Sequence, residues 1–259
     1  MCLIAFAWQV HPRFPLVLIG NRDEFHARPA TGAEFQPDVP DVYGGRDLEK
    51  QGGWLQVSTR RRLATVTNVR AGLALDPAPR SRGALVAGFI RSDQRLEAHL
   101  DALAPQAPLY GRFNLLLWDG AQLALAGNYP DYSQRHVEPG VHGLSNGDFD
   151  APWPKVRRAH AALLRWIEED APAITPNLAP LFEALADERV APDEQLPDTG
   201  VGLELERMLS PPFVRGEHYG TRCSSVVLIG RGTMLFAERR FGPNGALLGE
   251  GVERMALGG

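Results

Sequence analysis

Short apolar runs recur in pairs along this chain, each pair joined by a connection of hairpin length, and this pairing restricts the fold more than any other feature. Residues 3–10 and 15–20 flank His11-Pro12-Arg13-Phe14, and residues 54–58 and 63–69 flank a turn at 59–62. Residues 113–118 and 121–126 flank Asp119-Gly120, a strong two-residue hairpin signal. Residues 136–145 read as another strand, broken at Pro139-Gly140, and residues 224–229 and 234–239 close the chain around Gly230-Arg231-Gly232. Between these runs the period changes. A helix starts near Ser81 and carries Leu85, Val86, Phe89 and Ile90; residues 92–102 extend it or start another. Pro152 and Pro154 open a helix with Val156, Ala159, Leu163, Leu164 and Ile167 on one face, and residues 178–186 form the next. Residues 28–45, rich in Pro, Gly and Asp, read as a long loop of the kind used as lids or binding loops. Residues 187–212 read as loop with one short helix. Runs of strands separated by helices argue against strict βαβ alternation. They fit an α+β chain of two mainly antiparallel sheets covered by helices, a single domain over residues 1–259.

Composition excludes several classes of function. The 259 residues are 44% apolar and 22% charged, ordinary for a globular protein with a substantial core. A net charge of −4 gives no global field for nucleic acid, and the one dense basic run, Arg60-Arg61-Arg62, suits a solvated hairpin turn. No apolar stretch is long enough for a transmembrane helix, and the N-terminus lacks the basic region of a signal peptide. Cys2 and Cys223 make no disulfide framework; they could pair, but a reducing cytoplasm is the expectation. Gly44-Gly45-Arg46-Asp47 and Gly52-Gly53-Trp54 match no nucleotide-binding spacing and read as tight turns. The histidines show no metal-ligand pairing, and His26, His142 and His218 read as ordinary loop residues.

Chemistry concentrates at Cys2. Methionine aminopeptidase removes an initiator methionine that precedes so small a residue, leaving a thiol and a free α-amine on one residue. That amine has an ordinary pKa of about 8, so part of it is a neutral base near pH 7. Nucleophile and base together are the equipment of an N-terminal nucleophile hydrolase. With Met1 retained, the nitrogen is an amide and self-activation fails. The plain alternative is a small apolar residue that starts a buried strand. The first hairpin would return Gly20-Asn21-Arg22-Asp23-Glu24-Phe25 to the neighbourhood of Cys2. A carboxylate there could orient the ammonium and an arginine could lower the thiol pKa. Alternation puts Arg22 and Glu24 on one face and Asn21 and Asp23 on the other, so one pair faces the site unless the strand bends. The plain alternative is a solvated strand end. Asn68 and Asn146 each end an apolar strand. They are turn or cap residues, Asn146 near the Pro152 helix, or neutral donors to an oxyanion. Arg222, ahead of a closing strand, is a surface charge or a fixed donor to a substrate carboxylate or carbonyl.

Taken in order, Met1-Cys2-Leu3-Ile4, Asn21-Arg22-Asp23-Glu24-Phe25, Gly52-Gly53-Trp54-Leu55, Thr67-Asn68, Ser81-Arg82-Gly83, Phe113-Asn114-Leu115, Gly143-Leu144-Ser145-Asn146 with Pro152-Trp153, and Tyr219-Gly220-Thr221-Arg222 resemble the NRDE family. That family includes the eukaryotic transport and Golgi organisation 2 proteins. The resemblance covers Cys2 to about Arg239. The family is similar to N-terminal nucleophile hydrolases of the bile-salt hydrolase and penicillin V acylase type, which implies an αββα sandwich of two stacked sheets. By type, order and context, Cys2, Asn68, Asn146 and Arg222 match the catalytic residues of those enzymes. The Arg–Asp element departs from their pattern, in which arginine directly follows the glycine and the acid lies three further on. Here Asn21 follows Gly20 and the acid's place falls on Glu24. Either Arg22 and Asp23 take the roles in a shifted register or the electrostatics of the site differ. The resemblance thus implies hydrolysis of a carboxamide bond in a small acyl-amide substrate, with no cofactor. The family's association with haem trafficking and lipid homeostasis implies the alternative, a non-catalytic carrier of haem or lipid in the same cleft, with Cys2 or a histidine such as His218 as haem ligand.

Overall fold

A computed structural model describes residues 3–73, 78–171, 173 and 175–258. In chain order the elements are β1 (Leu3–Trp8), β2 (Leu16–Phe25), β3 (Glu34–Gln36), β4 (Val39–Arg46), β5 (Gly53–Ser58), β6 (Arg62–Asn68), α1 (Gly83–Arg91) and α2 (Leu96–Leu103). There follow β7 (Phe113–Trp118), β8 (Leu123–Gly127), β9 (Ser133–His136), β10 (Gly140–Leu144), α3 (Pro154–Asp170), α4 (Ala179–Leu185), α5 (Leu203–Met208), β11 (Tyr219–Ile229), β12 (Thr233–Phe241) and β13 (Leu247–Ala256). The architecture is α+β with two antiparallel sheets, as the paired apolar runs predict. The chain divides into two compact units. One comprises Met1–Ala27, Arg70–Ala74 and Pro139–Arg254, the other Arg28–Val69, Leu75–Glu138 and Met255–Gly259.

The first unit holds a six-stranded sheet in the order β10-β1-β2-β11-β12-β13. Period-two alternation sends Leu3, Ala5 and Ala7 of β1, Val17 and Ile19 of β2, and Val226 and Leu228 of β11 to the face covered by α3 and α4. Val156, Ala159, Leu163 and Trp166 of α3 and Leu181, Phe182 and Leu185 of α4 meet them there. Close docking depends on Gly143, where a Cβ would come 2.2 Å from Val156 Cγ1. The opposite parity, Ile4, Phe6, Leu16, Leu18 and Val227, is also fully buried. Strands apolar on both sides therefore read as continuous runs rather than alternating ones.

The second unit holds a seven-stranded sheet in strict chain order, β3 to β9. Helices α1 and α2 pack Leu85, Val86, Phe89, Ile90, Leu96 and Leu100 onto Ala64, Val66, Phe113, Leu115 and Leu117. Three expectations need correction here. Residues 28–45 are not one loop, because β3 and β4 pair there and β4 joins β5. The strand expected over residues 136–145 is two strands in different sheets: β9 pairs β8 and β10 pairs β1. Arg62 is not a solvated turn residue. It is buried at the start of β6, with its guanidinium over the Phe89 ring at 4.6 Å. No helix among the described residues is long and apolar enough to cross a membrane.

Candidate active site

The polar run after Gly20 is not a strand end. Strand β2 continues to Phe25 between two neighbours, β1 on one side and β11 on the other. Leu3 pairs with Asn21; across β11, Asn21 pairs with Ser224, Arg22 with Cys223 and Asp23 with Thr221. Asn21 is paired on both sides, Arg22 and Asp23 pair with β11, and all three are buried. Buried polar groups need partners, and those partners separate the motif into two jobs.

Asn21 and Asp23 share the pleat of Val17 and Ile19, the face of α3 and α4. The Asn21 amide donates to Leu185 O and Pro212 O, each at 2.8 Å, and its Oδ1 accepts from Ser224 Oγ at 2.7 Å. It joins β2 to the end of α4 and to the segment leading into β11. Asp23 Oδ1 accepts from Thr221 Oγ1 at 2.7 Å, and that hydroxyl oxygen accepts from Val214 N at 2.9 Å.

Arg22 and Glu24 lie on the opposite pleat, 3.7 Å apart, with Arg22 Nη2 directed at Glu24 Oε2. Arg222 joins them through a bulge. The register of β11 against β2 slips between Thr221 and Cys223, so Arg222 is an extra residue in the ladder. Thr221 and Ser224 keep the helix-facing pleat, which leaves Arg222 and Cys223 to the side of Arg22. The Arg222 guanidinium donates to Phe25 O at 2.8 Å. Burial, and next the positive field of Arg22, lower its pKa, so two guanidinium groups share one corner. Burial, then Arg222, also lower the pKa of His26 and favour its neutral form. Cys223 is a free, buried thiol whose pKa is pushed up, first by burial and next by Glu238; it is the inert cysteine of the chain.

Asn146 follows β10, whose Leu144 pairs with Ile4 of β1. It does not cap the next helix: residue 153 occupies that position, without a side-chain cap bond. Its carbonyl instead accepts from Arg70 N at 2.7 Å. Arg70 is itself held, donating to Glu206 Oε2 at 2.6 Å and Thr199 Oγ1 at 2.8 Å and stacking over Trp153 at 5.2 Å. Nothing local in the sequence marks Arg70 or Glu206, because their partners lie far along the chain. His142 is in strand β10 rather than a loop, with Nδ1 2.8 Å from Asp150 Oδ2. Asn68 belongs to the second unit, half-buried at the end of β6 and paired with Phe113. Cys2 lies outside the described residues, directly before Leu3. The structure thus gathers Arg22, Asp23, Glu24 and Arg222 at one end of the first unit's sheet, with Asn146 beyond the neighbouring strand. Among the described residues, no cluster of three or more His, Cys, Asp or Glu could hold a metal ion.

The two-sheet α+β fold is similar to that of N-terminal nucleophile hydrolases. The chain superposes on the Caenorhabditis elegans N-acylethanolamine-hydrolyzing acid amidase ortholog with a TM-score of 0.53 at 8% identity, covering 88% of this chain and 92% of that one. On the conjugated bile acid hydrolase from Clostridium perfringens the TM-score is 0.54 at 8% identity, covering 98% and 92%. The chain belongs to the Transport and Golgi organisation 2 family, whose model matches residues 1–243. It is 34% identical to the Transport and Golgi organization protein 2 homolog of Bos taurus and 33% to that of Homo sapiens, each over 92% of both chains. The Drosophila melanogaster protein is 28% identical over 88% of both.

Proposed function

We propose that this chain is a cysteine N-terminal nucleophile hydrolase that cleaves the carboxamide bond of a small acyl-amide substrate. The observation that carries the reading is the β11 bulge, which brings Arg222 to the same pleat as Arg22 and Glu24 at the end of the sheet where β1 starts. Two guanidinium groups beside a thiol favour thiolate and bind a developing oxyanion or a carboxylate. Fold neighbours that include an amidase and a hydrolase agree with this chemistry at the level of architecture.

In this mechanism the neutral α-amine of Cys2 takes the thiol proton, and the sulfur attacks the carboxamide carbon. Asn146 donates to the resulting oxyanion. The C–N bond breaks as the ammonium returns its proton to the leaving nitrogen, leaving a thioester. Water then adds to the thioester carbon and gives a proton to the amine; the C–S bond breaks, the ammonium returns that proton to the sulfur, and the carboxylic acid departs. Arg22 with Glu24 or Asp23 holds the amine and thiol in place, and Arg222 polarises the site or binds the acyl or carboxylate group. The test uses protein from a native-like host, incubated with a short-chain acyl p-nitroanilide and followed by intact mass and absorbance. The expected results are loss of Met1, a single acyl adduct on Cys2 and release of nitroaniline, all chemistry vanishing in Cys2→Ala. Turnover surviving in Cys2→Ala would remove the reading. Saturable one-to-one binding of haem or lipid without turnover would point instead to a carrier.

A further inference from the structure

We propose that β13 is a docking edge for a second copy of this chain, which adds its own β13 antiparallel about a two-fold axis through Val252. The sheet of the first unit ends at β13, with β12 on one side and no strand among the described residues on the other. An edge of this kind presents a row of backbone N–H and C=O groups ready to pair with another strand. Natural edges are blunted by Lys, Pro, bulges or brevity. This one runs for ten residues, Leu247–Ala256, has neither Lys nor Pro, and buries only Met255. Three large apolar side chains stand on it in the open: Leu247, Leu248 and Val252, at 58%, 62% and 59% exposure.

The charges on β13 say what covers it. Even-numbered residues share one face, in the order Leu248, Glu250, Val252, Arg254, Ala256. With Val252 opposite its own counterpart, Glu250 faces Arg254 of the second copy and Arg254 faces Glu250 of the second copy. Leu248 then lies opposite Ala256, and nearly the whole strand is paired. Sliding the centre to the Gly251–Val252 bond sets Glu250 against Glu253, and centring on Glu250 sets that residue against itself. Directly opposed unlike charges favour a cross-strand pair and like charges oppose it, so the Val252 register is selected. Within its own chain Arg254 has no ion-pair partner among the described residues, and Glu250 has only the exposed Arg239 at 3.2 Å. A patch complementary to itself is what a closed two-fold interface requires.

Sedimentation velocity over a range of protein concentrations tests the proposal. The full chain is expected to show a concentration-dependent dimer. Glu250→Arg and Arg254→Glu each place like charges across the axis twice, and each variant alone is expected to sediment as a monomer. Mixing the two restores both opposite pairs, so the mixture is expected to form a heterodimer at least tenfold tighter than either homodimer. All the altered side chains are exposed, so thermal melts should match wild type and show that folding is unaffected. A wild-type chain that stays monomeric at every concentration, single variants that dimerise as wild type does, or a mixture that fails to recover association would each overturn it.

Discussion

Asn21 sits at the head of the polar run that ends β2, yet its geometry is that of a joint. Its side chain is fully buried and satisfies three groups at once, Leu185 O, Pro212 O and Ser224 Oγ. Asn21→Val keeps a strand-forming residue of similar volume and removes all three bonds. The two carbonyls and the hydroxyl then lose a partner where water has no access. A buried polar group left unsatisfied costs about 1–3 kcal/mol, so three of them suggest roughly 3–9 kcal/mol before relaxation, and about 4 kcal/mol is expected once the site relaxes. That is a large share of the ~5–15 kcal/mol typical of a native chain. Urea denaturation should show a lower midpoint with an unchanged slope. Adding Ser224→Ala removes one of the orphaned groups, so the double variant should regain about 1 kcal/mol over Asn21→Val, whereas Ser224→Ala alone should lose a similar amount. A loss below about 1 kcal/mol in Asn21→Val, or two single effects that simply add, would refute the claim that Asn21 ties β2 to α4 and the 212 segment.

Three other perturbations test separate parts of the structure. A Cβ on Gly52 would lie 2.4 Å from the backbone carbon of Gly83, so Gly52→Ala should destabilise the second unit by about 1–3 kcal/mol and lower the melting temperature. Arg70→Met strands the buried Glu206 carboxylate; a loss of about 3 kcal/mol in chemical denaturation is expected, with partial recovery in Arg70→Lys. His99, edge-on to Phe89 at 5.0 Å, has its pKa lowered from 6.5 to about 4, first by burial and then by Arg62. It is neutral when folded and takes a proton more readily when unfolded, so its stabilising effect is complete above pH 6.5 and is lost as the pH falls towards 4. Discounted for partial exposure, the loss between pH 7 and pH 4.5 is about 2 kcal/mol. It should be smaller in His99→Gln, and an unchanged pH dependence there would exclude His99 as the cause.

Sequence patterns report what is local, and the misread elements are those whose stabilisation is not local. Residues 113–118 are apolar apart from Asn114 and read directly as the strand they form. So does the helix face carrying Leu85, Val86, Phe89 and Ile90. By contrast, Val39–Arg46 contains Pro, Asp and two glycines and is a strand only because β3 and β5 pair with it. Strand β13, with glycines at 249 and 251 and side chains exposed on both faces, carries no core-facing pattern to detect. The glycine motifs were legible as special positions but not for the right reason. Gly52 and Gly83, from two separated motifs, are small because their backbones meet; Gly45 is small because a Cβ would lie 2.1 Å from the Trp54 ring. A one-dimensional reading sees two turns where the fold has contacts of backbone with backbone and of backbone with ring.

The four residues Asn21 to Glu24 carry the same lesson into the chemistry. As a string they are one polar cluster, and alternation divides them without saying which half works. The division follows from what each pleat faces. On the α3 and α4 side a polar residue survives only by satisfying fixed carbonyls and hydroxyls, which commits Asn21 and engages Asp23 with Thr221. On the other side the inserted residue in β11 adds Arg222 to Arg22 and Glu24. Burial, and next the guanidinium of Arg22 beside it, lower the pKa of Arg222 in the resting protein. Such a concentration of like charge is worth keeping where an anion forms or binds, and a thiolate, an oxyanion and a carboxylate all meet that description. The carboxylate on the pleat of the guanidinium pair is Glu24, whereas Asp23 lies on the other pleat with Thr221.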